Sequence, residues 1–191
     1  MDAVLVMPDP NEEVWHTQTP HLHCGHDKLG RPVYIERSGE VRVGKMMKHV
    51  TREDFKVRHV RHIEQMEQRI EDASQKRGKL VQQMVVIMDL KNLSFKMDTA
   101  AMTAFKDTMK MDQAHYPERL GDLFIINAPW IFSGLWPMIK VWLHEKTKRK
   151  FHIHGAKYQS ELLKYIDGDQ LPVEYGGTLE FDVPVKTDYV E

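Results

Sequence analysis

The chain has 191 residues, enough for one globular domain that buries roughly 70% of the surface its unfolded form exposes. Twenty-seven Lys and Arg against 28 Asp and Glu leave a net charge of −1. That balance excludes holding nucleic acid or an anionic membrane by overall field strength, so any anion site must be local. The lone Cys24 excludes an internal disulfide. With no charged segment leading into an apolar run near Met1, a reducing, cytosolic setting is expected.

Residues 1–24 carry three prolines and no lasting period, and are expected to form an irregular lead-in to a folded domain at 25–191. Asp27-Lys28-Leu29-Gly30 is turn chemistry, and Pro32-Val33-Tyr34-Ile35 alternates toward Val41-Arg42-Val43 as a small antiparallel pair would. Thr51 with Asp54 three residues on marks a helix start; Phe55, Val60, Ile63, Met66 and Ile70 follow at helical spacing, and Gly78 ends the run. The unbroken apolar run from Met84 to Met88 predicts a strand covered on both faces. Asp98 is expected to cap a helix with Ala101, Met102, Phe105 and Met109 along one stripe. A second buried strand is predicted at 123–126, an apolar helical region from Trp130 to Leu143, a third strand from Phe151 to His154 and a helix around 162–165. Strand and helix taking turns predicts an α/β fold with a mainly parallel sheet.

The stretch from Leu123 to Leu143 holds one charged residue, Lys140, over about the length of a bilayer crossing. Pro129, Pro137, Asn127 and Ser133-Gly134 argue against a continuous membrane helix there.

Four segments in order carry a resemblance: 25–34 (GHDKLGRPVY), 87–91 (IMDLK), 116–121 (YPERLG) running into 125–129 (IINAP), and 169–177 (DQLPVEYGG). Together they cover about four fifths of the chain, which resembles the CRAL-TRIO lipid-binding domain of yeast-type phosphatidylinositol transfer proteins. The resemblance implies a sheet-floored hydrophobic pocket that takes in a whole lipid, closed by a mobile apolar gate helix that opens at a membrane. Trp130, Phe132, Leu135, Trp136, Ile139 and Trp142 fall where the family places that gate. The apolar residues of this stretch point all round a helix, as expected of one fully buried or facing lipid at some point in its cycle. A plain core helix is the alternative on composition alone.

For the polar end of the ligand, the resemblance implies an inositol-phosphate headgroup site at Glu118, Thr147 and Lys150. The chemistry suits it: a lysine is a flexible point charge for phosphate, the Thr147 hydroxyl adds a hydrogen bond, and Glu118 accepts from inositol hydroxyls. The residues alone leave a second reading of 146–150, a solvated basic turn after a helix. Family members that also carry phosphatidylcholine place hydroxyl side chains on the first buried strand and tyrosines nearby. Here Met84 and Val86 occupy the strand positions, Tyr34 is retained, and His23 stands at the other tyrosine position. Weak phosphatidylcholine binding is therefore expected, with phosphatidylinositol retained or replaced by a sterol-, tocopherol- or squalene-like ligand. The family's upstream helical segment is expected to be absent, the chain being either cut from a longer protein or a minimal member.

Two other constellations carry less. Six residues separate Cys24 from Arg31 where a cysteine phosphatase loop has five, and Asp27 would repel a phosphate, so catalysis is not expected. His16, His21, His23, Cys24 and His26 match no metal-ligand spacing, and His152 and His154 are expected to be pocket or surface residues; no metal is assigned. The expectation is thus a non-enzymatic, cytoplasmic, peripherally membrane-associated protein. It would bind a phospholipid or other hydrophobic small molecule, touch membranes transiently, bind no nucleic acid, and need no cofactor beyond the bound lipid. Its role would be intermembrane transfer or presentation of phosphatidylinositol, or, alternatively, lipid sensing or membrane targeting as a regulatory module of a larger protein.

Overall fold

Five strands add to one another in chain order: β1 His21–His26, β2 Pro32–Glu36, β3 Met84–Asp89, β4 Leu120–Ile126 and β5 Phe151–Ile153. The computed structural model describes residues 5, 7–93 and 99–180, and of Ala101 only the backbone. β2 to β5 run parallel, and β1 pairs antiparallel with β2 through a bulge between Cys24 and His26. Because each parallel strand is laid down on the same side of the last, right-handed crossovers put every connecting helix on one face. Those helices are α3 Arg52–Arg77, α4 Thr99–His115 and α5 Phe132–Lys140. Short helices α1 Glu12–Gln18, α2 Val43–Met46 and α6 Glu145–Lys148 lie in the intervening segments, and α7 Gln159–Tyr165 covers the opposite face.

Period-two alternation divides the strand side chains between two cores. Val33, Ile35, Val85, Ile87, Phe124 and Ile126 pack against Tyr158, Leu162, Ile166, Leu171 and Tyr175 on the α7 face. Their neighbours Tyr34 and Met84 meet Ile63, Met66 and Ile70 of α3, while Leu123 and Ile125 meet Phe132, Ile139 and Leu143. Val86 and Met88 sit on this second face at the centre of the sheet yet are only partly buried, because the helices stand off from them.

Local chemistry fixes the ends. Thr51 and Asp54 form the expected capping box on α3, and Gly78 closes that helix at φ 60°, a left-handed conformation that glycine adopts at little cost. Asp27, 1% exposed, accepts the Arg31 amide at 2.7 Å and the Arg31 Nε at 2.7 Å. The same guanidinium reaches the half-buried Asp122 on β4 at 2.6 Å, so one triad ties the β1–β2 hairpin to the far side of β3.

Some expectations need correcting. Residues 1–24 are not irregular throughout: α1 and most of β1 fall inside them, with Trp15 buried against Met46 and Val50. The partner of β2 is β1 and not 41–43, where Val43 instead begins α2. Antiparallel alternation in 21–26 was masked by His21, His23 and His26, polar residues at the less buried positions. The region from Trp130 to Leu143 is not one helix buried all round: regular helix spans only Phe132–Lys140, one side is buried, and the other exposes Trp130, Met138 and Val141. Asp98 lies outside the described residues. No helix among the described residues is long and apolar enough to cross a membrane.

Candidate functional site

Between the sheet and the α3–α4–α5 layer lies a cavity of about 1270 Å³, larger than the usual site for a drug-sized ligand. Met84, Val86, Met88, Leu123 and Ile125 form its floor, Met102, Phe105 and Met109 of α4 one wall, and Phe132, Leu135 and Ile139 of α5 another. The pleat accounts for the floor: the same alternation that sends Val85 and Ile87 into the α7 core sends Met84, Val86 and Met88 here. Such a lining offers hydrocarbon contact and almost no hydrogen bonding.

One polar end of the cavity is the set expected for an inositol phosphate. Glu118, Thr147 and Lys150 all line it, and the Lys150 ammonium donates to the Glu118 carboxylate at 2.9 Å and to the Leu120 carbonyl at 2.7 Å. A hydrogen bond and charge from Lys150 hold the Glu118 carboxyl below its ordinary range. Glu118 itself sits at φ 61°, a left-handed conformation uncommon outside glycine. Lys146 lines the same end, so positive charge gathers where the cavity meets solvent.

The other polar end was only half foreseen. Tyr34 lines the cavity as expected, and its hydroxyl donates to Glu36 at 3.0 Å; Ser38 donates to the other oxygen of that carboxylate at 2.6 Å. The ring of His62 lies 4.3 Å from that of Tyr34 and 5.7 Å from that of His23, which places an imidazole from α3 against both β2 and β1. Burial first, and then the neighbouring Glu36 charge, push the Tyr34 hydroxyl well above its ordinary range. Burial and the His23 ring push His62 well below its own. His23 is pushed down to about 3 by burial and then by Arg69 and His21. His59 and Asp112 close the wall between α3 and α4, 2.6 Å apart. Glu36, His59, His62 and Asp112 escaped the sequence reading; the only available signal was that His59 and His62 lie one turn apart and share a face with the buried Ile63 and Met66.

The tryptophans of 130–143 do not line the cavity. Trp136 packs on Phe151 with ring centroids 5.2 Å apart, Trp142 lies under the Lys106 ammonium at 5.3 Å, and Trp130 is 80% exposed. With Met138 and Val141 it forms an apolar outer surface on the element whose inner side faces the cavity. Cys24 is buried and its thiol is pushed up to about 12 by burial, which removes it as a nucleophile. His152 is held by Asp122 at 2.7 Å. Among the described residues no group of three or more His, Cys, Asp or Glu is placed to hold a metal ion.

The family model of the CRAL/TRIO domain matches residues 18–177. The phosphatidylinositol/phosphatidylcholine transfer protein SFH7 of Arabidopsis thaliana is 37% identical over 160 residues, covering 83% of this chain and 29% of that protein. The Sec14 cytosolic factor of Schizosaccharomyces pombe is 35% identical over 162 residues, covering 84% of this chain and 57% of that one. The chain therefore spans less than two thirds of the length of these relatives. The crystal structure of Sfh5 superposes with a TM-score of 0.74 at 21% identity, covering 95% of this chain and 61% of that chain, which shows a shared fold.

Proposed function

Since the chain belongs to the CRAL/TRIO domain family, we propose that it binds a whole lipid and passes it between membranes, with phosphatidylinositol as the cargo. The observation that carries this reading is the cavity of about 1270 Å³, apolar along its floor and over most of its α4 and α5 walls and cationic at one rim. Burial of acyl chains against Met84, Val86, Leu123 and Ile125 supplies most of the affinity, at about 25 cal/mol per Å². Lys150, Thr147 and Glu118 supply the selectivity for a phosphorylated, hydroxylated headgroup. Phosphatidylcholine binds weakly, because Met84 and Val86 give its phosphate no hydrogen-bond donor and each lost bond costs about 1–3 kcal/mol.

Exchange requires an opening, and the α5 segment is the proposed gate. Its inner residues Phe132, Leu135 and Ile139 close the cavity, while Trp130, Met138 and Val141 are exposed to meet a bilayer interface, where tryptophan is favoured. The protein thus acts as a non-enzymatic carrier that touches membranes only transiently. Vesicle-to-vesicle transfer of labelled phosphatidylinositol and phosphatidylcholine tests this: the reading requires faster transfer of the inositol lipid, and transfer of neither lipid by the folded chain would overturn it.

A further inference from the structure

Helix α3 carries two faces. Ile63, Met66 and Ile70 turn toward the sheet, while Arg58, Arg61, Gln65, Gln68 and Arg69 recur at helical spacing along another side. That second face lines a cleft of about 610 Å³, bounded opposite by α1 and by His21 and His23 of β1. The cleft shares no lining residue with the lipid cavity. Among the described residues, neither Arg58 nor Arg69 forms a hydrogen bond or an ion pair. The Arg61 side chain is only 13% exposed, yet its Nε is buried without a hydrogen bond, and its ion-pair contact with Asp9 is long, at 3.9 Å. A buried guanidinium N–H left in that state is costly. Gln65 stands four residues from both Arg61 and Arg69, the position from which a glutamate would pair with either, and a neutral amide there leaves both cations uncommitted.

Three carboxylates border the cleft, and none is placed against Arg58 or Arg69. Asp9 accepts from the Asn11 amide at 2.9 Å and the Trp15 indole at 3.3 Å. Glu12 is solvated at the rim, 3.6 Å from His16, and Asp72 is exposed. Burial first, and then Arg69, His21 and Arg58, hold the His23 imidazole down, so the arginine charge is felt inside the cleft.

We propose that this cleft is a second ligand site, outside the lipid cavity, for the phosphomonoester groups of a hydroxylated ring such as a sugar or inositol phosphate, with Arg58, Arg61 and Arg69 as the phosphate contacts. Planar guanidinium forks match phosphate oxygens two at a time. Gln65 and Gln68 offer amide donors and acceptors to the ring hydroxyls. The volume suits a small polar molecule rather than a bare phosphate ion. Leu5 and Trp15 are the only apolar lining residues among those described, so hydrocarbon finds little to bury against. A free metabolite and a phosphorylated lipid headgroup share this chemistry; in the second case the acyl chains stay in the bilayer.

The test is calorimetric titration of the full chain with inositol trisphosphate and with unphosphorylated inositol, alongside flotation with phosphatidylcholine vesicles that contain phosphatidylinositol bisphosphate. The trisphosphate is expected to bind and inositol is not. Replacing two arginines together, Arg58→Gln with Arg69→Gln, should weaken that binding at least about tenfold, as the loss of charge-assisted contacts dictates. Arg69→Gln alone, at an exposed position that the fold does not need, should weaken it about threefold and keeps the test available if the double variant does not fold. Lys150→Ala, at the separate cavity rim, should leave it within about twofold. Binding in solution shows that a free phosphomonoester suffices; binding to the vesicles alone, lost in the arginine variants, assigns the site to a lipid headgroup. Binding lost in Lys150→Ala and kept in the arginine variants places the phosphate at the cavity rim and overturns the proposal while leaving the lipid reading intact. Equal binding of inositol, or no binding in solution or on vesicles, overturns it as well.

Discussion

Trimming the outer face of the proposed gate should weaken membrane contact without touching the cavity. Trp130, Met138 and Val141 are 80%, 45% and 70% exposed, so most of their surface is available to a bilayer. An aromatic side chain buries roughly 200 Å², worth about 5 kcal/mol at about 25 cal/mol per Å², and valine or methionine about 2 kcal/mol each. Weighted by exposure, full immersion of the three is worth about 6 kcal/mol, and half-immersion at the headgroup boundary about 3 kcal/mol. Replacing all three by alanine should lower partitioning onto neutral phosphatidylcholine vesicles by about a hundredfold, measured by co-sedimentation. Because the lost contact is apolar, the loss should be the same at low and high salt. Partitioning within about threefold of the unaltered chain would refute the assignment of this face as the docking surface.

Other consequences follow from single groups. Lys150→Ala removes a charge-assisted contact worth about 1.5–3 kcal/mol; binding of phosphatidylinositol should fall about tenfold or more while uptake of an uncharged hydrocarbon probe stays within about twofold. Arg31→Met strands Asp27 and Asp122 without their shared cation, and should cost about 3–5 kcal/mol and lower the melting temperature by about 6–20 °C; a smaller loss would mean that the triad is not holding the hairpin to β4. His23, pushed down to about 3 in the folded chain, protonates near 6.5 when unfolded. Between those values the unfolded chain binds more protons, so stability should fall as pH drops through about 6.5 toward about 3, with a slope of at most about 1.4 kcal/mol per pH unit from this group. Denaturant titrations over that range should show the slope, and His23→Phe should lessen it by this group's share, the share of the similarly lowered His62 remaining.

What could be read from the sequence divides along physical lines. The apolar run Met84–Met88 and the Thr51–Asp54 cap are local signals, and both elements form where periodicity and capping chemistry place them. The strand at His21–His26 was hidden because its less buried positions carry histidine, so the alternation did not read as apolar against polar. The two-sided character of α5 was equally hidden: with apolar residues on every face, composition cannot say which side meets protein. The structure answers by burying Phe132 and Ile139 and leaving Trp130 out. Lys150 and Glu118 follow from the family pattern, and they come together at the rim from the turns that lead into β5 and β4. Glu36 and His62 belong to elements distant in the chain, joined only through the Tyr34 ring, and no spacing in the sequence announces such a contact.

Mass spectrometry of lipid extracted from the natively purified chain addresses the cavity directly. The account requires about one lipid per chain, with inositol phospholipid enriched over phosphatidylcholine relative to the membranes of the host. A folded chain that carries no lipid, and that takes up none after incubation with phosphatidylinositol vesicles, would contradict it.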